Sequence, residues 1–178
     1  MSRIPYPDPE TLSQPKRDVL NDPNIRTLNV SRFCMYVADP QWAAQRTLGI
    51  ASARSLTIDP KLKEYVILRV AHLSGCDYEL HHHQSIAANL GVGEDVFEAL
   101  RVGDFSGFTP VERAVCQFVT ELVQKVSPSD ETLAAVRALI SDELLFEIVF
   151  LAGYYMIIAR VIAVGGPELD DEPVRAWT

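Results

Sequence analysis

A thiol, a carboxylate and an imidazole recur at helical spacing in one short stretch of the chain. Cys76, Glu79 and His83 are three and then four residues apart, and this spacing places side chains on one face of a helix. When such groups converge, they can transfer protons or attack an electrophilic atom. The stretch therefore predicts a site for proton transfer or nucleophilic chemistry.

The helix face that carries these groups is otherwise apolar, because Ile86, Ala87 and Leu90 continue it. An ionisable group in apolar surroundings costs free energy unless it is paired. A contact between Glu79 and His83, one turn apart, is the simplest pairing. We interpret His83 as the main proton-transfer group and Glu79 as its partner, whereas a histidine alone on such a face is more often a core residue.

Cys76 follows the helix-breaking pair Ser74-Gly75 and so lies near the start of its helix. The helix dipole lowers the pKa of a thiol at that position. The alternative is a small buried apolar residue. A dithiol cycle needs a second cysteine nearby, but position 79 is glutamate, and Cys34 and Cys116 are far away in sequence.

Four further residues are candidates for the same site. Glu64 and Arg69 lie on the preceding predicted helix. By its position alone, Glu64 is a solvated acid of the first turn, where the helix dipole favours it. Arg69 points inward and needs an anionic partner, which is either a structural carboxylate or the carboxylate of a substrate. Tyr78 either bonds a substrate or packs, and His72 is a further candidate for substrate binding.

The three successive histidines, His81-His82-His83, do not form a metal site if they lie on a helix. Successive helix residues point about 100° apart, so the three rings cannot bind one ion together. Glu79 and His83 with His72 as a third ligand would be an alternative, but no HExxH motif or cysteine pair supports it. We expect neither a metal nor another cofactor, and we predict His81 and His82 at the surface or at an interface.

These groups must be positioned by helices, since no segment shows the alternation of a half-buried strand. Caps, prolines and glycines divide the chain into predicted helices at residues 15–20, 29–37, 40–52, 60–73, 76–90, 94–100, 110–126, 127–140 and 142–164. The predicted fold class is therefore all-α, a helical bundle.

The last predicted helix is apolar almost all round. Phe146, Phe150 and Tyr154 recur every four residues, while Glu147 and Arg160 interrupt the run. Charges inside a membrane span are rare, so we favour a helix buried at a subunit interface over a membrane-spanning one. The sequence thus predicts a homo-oligomer.

Length and composition set limits on the function. The 178 residues suit one domain at 25–165 with an N-terminal arm at 1–24 and a C-terminal tail at 166–178. The net charge of −8 without a basic patch argues against nucleic acid and against an anionic membrane surface. No secretory signal is visible, and three widely spaced cysteines suit free thiols. We expect a cytoplasmic protein that binds a small molecule.

The residues quoted above resemble a known family. Glu64, Cys76, Glu79 and His83, followed by Ala-Ala-Asn-Leu-Gly91, are similar to the core motif of the carboxymuconolactone decarboxylase and alkylhydroperoxidase D-like superfamily. The peroxidase branch has a CxxC pair, whose second cysteine is replaced here by Glu79. Its glutamate at the position of Glu64 belongs to a proton relay with the histidine, so the resemblance implies that role for Glu64. The decarboxylase branch has a Glu-Leu-x-x-His element, which residues 79–83 reproduce. The resemblance is strongest over residues 61–100.

The resemblance implies a helical bundle that assembles as a trimer or hexamer, and a cofactor-free enzyme acting on a small carboxylated or lactone-like molecule. In that chemistry, loss of carbon dioxide leaves a dienolate that must be protonated at carbon. His83 would transfer the proton, Glu79 would orient it or share the proton, and Glu64 and Cys76 would line the pocket. The alternatives are a thiol-dependent peroxide reductase that uses Cys76 and a non-catalytic oligomer that binds a small ligand.

Overall fold

The computed structural model describes residues 1–177, and every regular element among them is a helix. A 3-10 turn at Pro9–Thr11 precedes nine α-helices: α1 (Gln14–Asn21), α2 (Asn29–Cys34), α3 (Asp39–Arg54), α4 (Pro60–Ser74), α5 (Asp77–Asn89), α6 (Glu94–Val102), α7 (Pro110–Lys125), α8 (Asp130–Arg137) and α9 (Asp142–Gly165). The all-α prediction is confirmed.

The helices begin where their capping residues predict. Thr109 and Glu112 form a capping box at the start of α7, with each side chain bonded to the other residue's backbone N–H. At the start of α4, the carboxylate of Asp59 accepts hydrogen bonds from the backbone N–H groups of Lys61 and Leu62. These bonds satisfy amides that have no partner within the helix, and they explain why both starts could be predicted.

One predicted helix start is wrong, because α8 begins at Asp130 rather than at the pair Ser127-Pro128. Two predicted ends are also too late, since α2 ends at Cys34 and α8 at Arg137. Val126 adopts a left-handed conformation with φ of 70°, which turns the chain away from α7. The carboxylate of Glu121 then accepts a hydrogen bond of 2.7 Å from the backbone N–H of Ser129. Ser129 caps α8, so the turn between the helices is longer than the proline suggested.

Helix α4 is the centre of the bundle. It packs against α5, α6, α7 and α9, and every residue from Leu62 to Ala71 is buried. A helix that is buried on all sides must satisfy any polar group within the protein. Its position carries Glu64, which is fully buried, into the interior beside α5.

Helix α9 is covered on one side only. Its inner side packs on the core through Leu145, Ile148, Leu151, Ala152, Tyr155, Ile158 and Ala159. Its outer side exposes four large apolar residues, Phe146, Phe150, Ile157 and Val164, by 59%, 61%, 49% and 61%. Among residues 1–177, α9 is the one helix whose length and composition would allow it to cross a membrane.

The tail after α9 folds back across α5. The backbone N–H of Val174 donates to His82 Nδ1 at 3.1 Å, and Asn89 Nδ2 donates to the carbonyl of Arg175 at 2.9 Å. His82 is buried, so its prediction as a surface or interface residue is wrong. His81 is half-buried beneath the same segment, with Nε2 at 3.0 Å from the carbonyl oxygen of Asp170.

Candidate functional site

The imidazole of His83 lies between two carboxylates. Its Nδ1 is 2.8 Å from Oε2 of Glu64, and its Nε2 is 3.3 Å from Oε2 of Glu79. Helix α4 supplies Glu64, and α5 supplies the other two side chains. The three residues are exposed by 0%, 5% and 6%, for Glu64, His83 and Glu79 respectively, so bulk water does not compete for their hydrogen bonds.

Aromatic side chains close the site. The indole Nε1–H of Trp177 donates to Oε1 of Glu64 at 2.8 Å, so both oxygens of this carboxylate have partners. The ring of Tyr155 meets the His83 ring edge-on, with centroids 5.0 Å apart, and the Trp177 ring lies 5.3 Å from His83. The cluster is therefore polar at its centre and aromatic around it.

Two opposing effects set the pKa of His83. Burial lowers it, whereas the carboxylates of Glu64 and Glu79 raise it, and the net result is a pKa of about 9. The cluster thus holds a proton at neutral pH on or next to Nε2. Burial, and then the negative charges of Glu79 and Glu64, raise the pKa of Tyr155 well above its ordinary value, so its phenol stays protonated.

Cys76 lies immediately before α5, as predicted, but its thiol is not activated. The residue is buried in a small apolar cluster that also contains Cys34 and Trp42. Burial raises the pKa of Cys76 to about 11, because desolvation outweighs the helix dipole. Of the two interpretations of Cys76, the structure therefore has the small buried residue. Burial likewise raises the pKa of Cys34 to about 11 and that of Cys116 to about 12.

A small cavity opens at the start of α5, next to Cys76. Its volume is about 190 Å³, and Ser74, Gly75, Tyr78, Ala159 and Ile162 are among its lining residues. His83, Glu64 and Glu79 are not part of its wall. The cavity beside Cys76 is therefore separate from the His83 cluster, although the sequence placed Cys76 and His83 on one helix face.

Tyr78 is engaged by the tail. Its hydroxyl donates to Oδ2 of Asp170 and accepts a hydrogen bond of 3.3 Å from the backbone N–H of Val30. Nε2 of His82 bonds the same carboxylate oxygen at 3.2 Å. In this arrangement Tyr78 anchors the segment that carries Trp177, and its predicted role in substrate binding stays a prediction.

Arg69 and His72 lie in a different environment. The Arg69 guanidinium donates to Oγ1 of Thr120 at 2.9 Å and to the carbonyl of Leu100 at 2.7 Å, which joins α4 to α6 and α7. Burial, and then the charges of Arg69 and Arg101, lower the pKa of His72. The structure thus places both residues with α6 and α7 and does not bring them to His83.

Within residues 1–177, no group of three or more histidine, cysteine, aspartate or glutamate side chains has the geometry to hold a metal ion. The carboxylates of Glu64 and Glu79 are bonded to His83 instead. The expectation that the protein needs no metal stays a prediction.

Sequence reasoning missed Trp177, Tyr155 and Asp170. Tyr155 lies on the inner side of α9, whose sequence is apolar almost all round. The hydrophobic pattern therefore did not distinguish Tyr155 from the other residues of this helix. Trp177 is one of two tryptophans in the chain and follows a charged stretch, Asp170-Asp-Glu-Pro-Val-Arg175. A large aromatic residue in a polar tail is the one signal that could have indicated an anchoring contact.

Comparisons with known proteins found one matching family model and several solved structures of similar fold. Residues 40–121 match the model of the carboxymuconolactone decarboxylase family, and this segment contains Glu64, Glu79 and His83. No curated protein matches the chain significantly.

Solved structures share the fold at low sequence identity. A peroxidase-related protein with an alkylhydroperoxidase AhpD core from Ralstonia eutropha JMP134 is 16% identical, with 99% of this chain and 98% of that one covered and a TM-score of 0.78. A peroxidase-related protein from Silicibacter sp. TM1040 is 13% identical, with coverages of 99% and 94% and a TM-score of 0.77. A putative antioxidant defence protein AhpD from Agrobacterium tumefaciens is 21% identical, with coverages of 75% and 94% and a TM-score of 0.67.

At these identities the solved structures establish the fold, and the family model adds the segment that contains the His83 cluster. The matched segment is similar to the carboxymuconolactone decarboxylase family, and the chain as a whole has the fold of the AhpD-like structures.

Proposed function

We propose that this protein is a cofactor-free enzyme that acts by proton transfer on a small carboxylated or lactone-like organic molecule. The observation that carries the proposal is the placement of His83 between two buried carboxylates, Glu64 and Glu79. A buried histidine with a proton to share and a carboxylate on each side is suited to general acid catalysis.

The two carboxylates have different roles in this mechanism. Glu64 accepts hydrogen bonds from Trp177 and His83, which fixes a proton on Nδ1 and leaves Nε2 to exchange its proton. Glu79, at the longer distance of 3.3 Å, shares that second proton with Nε2. Glu64 therefore orients the imidazole, and the proton that the reaction uses is shared between Glu79 and Nε2 of His83.

Decarboxylation would use this shared proton as follows. The bond between the substrate's carbon and its carboxylate breaks, carbon dioxide leaves, and the electron pair remains as a dienolate. The cationic imidazole stabilises the developing negative charge. The proton of Nε2 then bonds to carbon, and a proton from water restores the cluster. Cys76, with its protonated thiol, has no part in proton transfer and is assigned to the wall of the neighbouring cavity.

A thiol peroxidase is the second candidate, and one observation favours it. Cys34 lies in the same small cluster as Cys76, which supplies a second thiol that the motif lacks. Two solved structures of the same fold are described as peroxidase-related. Against this function, both thiols have a pKa of about 11, and the nucleophile in such chemistry is the thiolate.

The test is a screen of lactones and unsaturated carboxylic acids, with turnover followed as loss of ultraviolet absorbance. We expect turnover of a compound from this class by the wild-type protein and by Gln84→Ala, a control on α5 next to His83. His83→Ala should lower it on the order of 10²–10⁴-fold. Binding of these compounds without turnover would indicate a non-catalytic ligand-binding protein, and peroxide consumption that depends on Cys76 would indicate the second candidate.

A further inference from the structure

The C-terminal tail brings a donor into the His83 cluster that the superfamily segment, residues 40–121, does not contain. The indole Nε1–H of Trp177 is 2.8 Å from Oε1 of Glu64. The ring of Trp177 also lies 5.3 Å from the His83 ring, and the ammonium group of Lys63 lies over the Trp177 ring at 5.1 Å from its centroid. Trp177 is therefore packed on both partners of the 2.8 Å contact between Glu64 and His83.

The consequence for Glu64 follows from its burial. A carboxylate that is 0% exposed depends on protein donors, and an indole N–H can only donate. Trp177 occupies Oε1, so Oε2 is the oxygen that faces Nδ1 of His83. This division of the two oxygens fixes the plane of the carboxylate and, through it, the orientation of the imidazole.

The tail itself is fixed along its length, which makes the position of Trp177 specific. Asp170 accepts hydrogen bonds from the Tyr78 hydroxyl and, through the other oxygen, from the backbone N–H of Asn29. Val174 donates to His82. The carbonyl of Arg175 accepts from Asn89, only two residues before Trp177. These anchors lie on α2 and along the length of α5.

We propose that Trp177 is a positioning residue of the proposed reaction, whose indole N–H orients Glu64 and thereby sets the direction in which His83 presents its Nε2 proton. This inference rests on the proposed function for its catalytic meaning. The structural part of the inference is that the hydrogen bond from Trp177 to Glu64 changes the electrostatic attraction between Glu64 and His83. This part can be tested without any substrate.

The experiment compares the titration of the His83 ring by NMR in the full chain and in Trp177→Phe, which keeps an aromatic ring and removes the N–H. A carboxylate with one hydrogen-bond donor fewer attracts the neighbouring imidazolium more strongly. We expect the midpoint of the His83 titration to move to higher pH. Trp42→Phe, which changes the second tryptophan in a separate cluster, should leave the midpoint unchanged.

A reciprocal variant covers the case in which Trp177→Phe alters the packing of the tail. Glu64→Gln replaces the charged acceptor, so the indole N–H signal of Trp177 should move upfield and exchange faster with water. An unchanged His83 midpoint in Trp177→Phe, or an indole signal of Trp177 that does not respond to Glu64→Gln, would overturn the assignment.

Turnover separates this inference from the proposed function. If a substrate is found, Trp177→Phe should lower kcat on the order of 10-fold with little change in KM, because the group it positions acts in the chemical step. An unchanged kcat would overturn the positioning role. If no compound is turned over while both NMR results hold, the proposed function fails and the Trp177–Glu64 contact stands.

Discussion

At the scale of single residues, the sequence predicted the participants of the cluster better than their contacts. The spacing of Glu79 and His83 on one helix gave their pairing, which the structure has at 3.3 Å. The shorter contact, 2.8 Å to Glu64, joins two helices, and helical periodicity carries no information about such a contact. The sequence indicated Glu64 only through its family resemblance, and it did not indicate Trp177.

The raised pKa of His83 predicts a dependence of stability on pH. Because the folded-state pKa is about 9 and the unfolded value is about 6.5, the stabilisation is fully present below pH 6.5 and is lost as the pH rises through 9. The expected loss in the free energy of unfolding is on the order of 3 kcal/mol. Denaturant unfolding at pH 6.5 and 9.5 measures it, and a His83→Gln variant with the same pH dependence as wild type would contradict the prediction.

The raised pKa values of Cys34 and Cys76 predict unreactive thiols. Both are buried and have a pKa of about 11, so the folded protein should react with iodoacetamide at pH 7 far more slowly than the protein in denaturant. Mass spectrometry of the alkylated protein measures this. Fast, reversible loss of two thiols per chain on addition of peroxide, abolished by Cys76→Ser, would favour the peroxidase instead.

At the scale of helices and loops, prediction succeeded where a capping residue determines a helix start and failed where tertiary contacts do. The capping box of α7 is visible in the sequence. The start of α8 is determined by Glu121, whose carboxylate accepts from the backbone of Ser129 across the turn, and by the left-handed conformation of Val126. The folded-back tail could not be predicted for the same reason, since its anchors are side chains of distant helices.

Glu147, which interrupts the apolar surface of α9, fixes this helix to the segment before α4. Its carboxylate accepts from the backbone N–H of Thr57 at 2.7 Å and of Ile58 at 3.1 Å. We expect Glu147→Ala to lower the free energy of unfolding by roughly 1–3 kcal/mol, because two amides lose a charged acceptor. Glu143→Ala, which removes an exposed first-turn carboxylate, is the matched control. Equal unfolding midpoints for the two variants would contradict this role.

At the scale of the whole molecule, the exposed side of α9 is the feature that a single chain leaves unexplained. Phe146, Phe150, Ile157 and Val164 lie along one side of the helix at spacings of four and seven residues, which is the pattern of a helix that packs against another helix. The superfamily resemblance implies trimers or hexamers. We therefore keep the prediction of a homo-oligomer with α9 at its interface.

Substitution of one interface residue tests this assembly. We expect the wild-type protein to sediment as an oligomer at micromolar concentration and Phe150→Glu to shift it towards the monomer, because a buried unpaired charge opposes association. Val102→Glu places the same charge on an exposed apolar residue of α6 and should not change the assembly. A wild-type chain that sediments as a stable monomer would contradict the prediction.

The central claim is that His83 and Glu79 act as one proton-transfer unit, and turnover of their variants tests it most directly. With a compound found in the screen, His83→Ala and Glu79→Gln should each lower kcat on the order of 10²–10⁴-fold. The double variant should be little slower than either single one, because residues that act as a unit are not additive. Circular dichroism and melting curves establish that each variant is folded. Wild-type turnover by a folded His83→Ala protein would contradict the account.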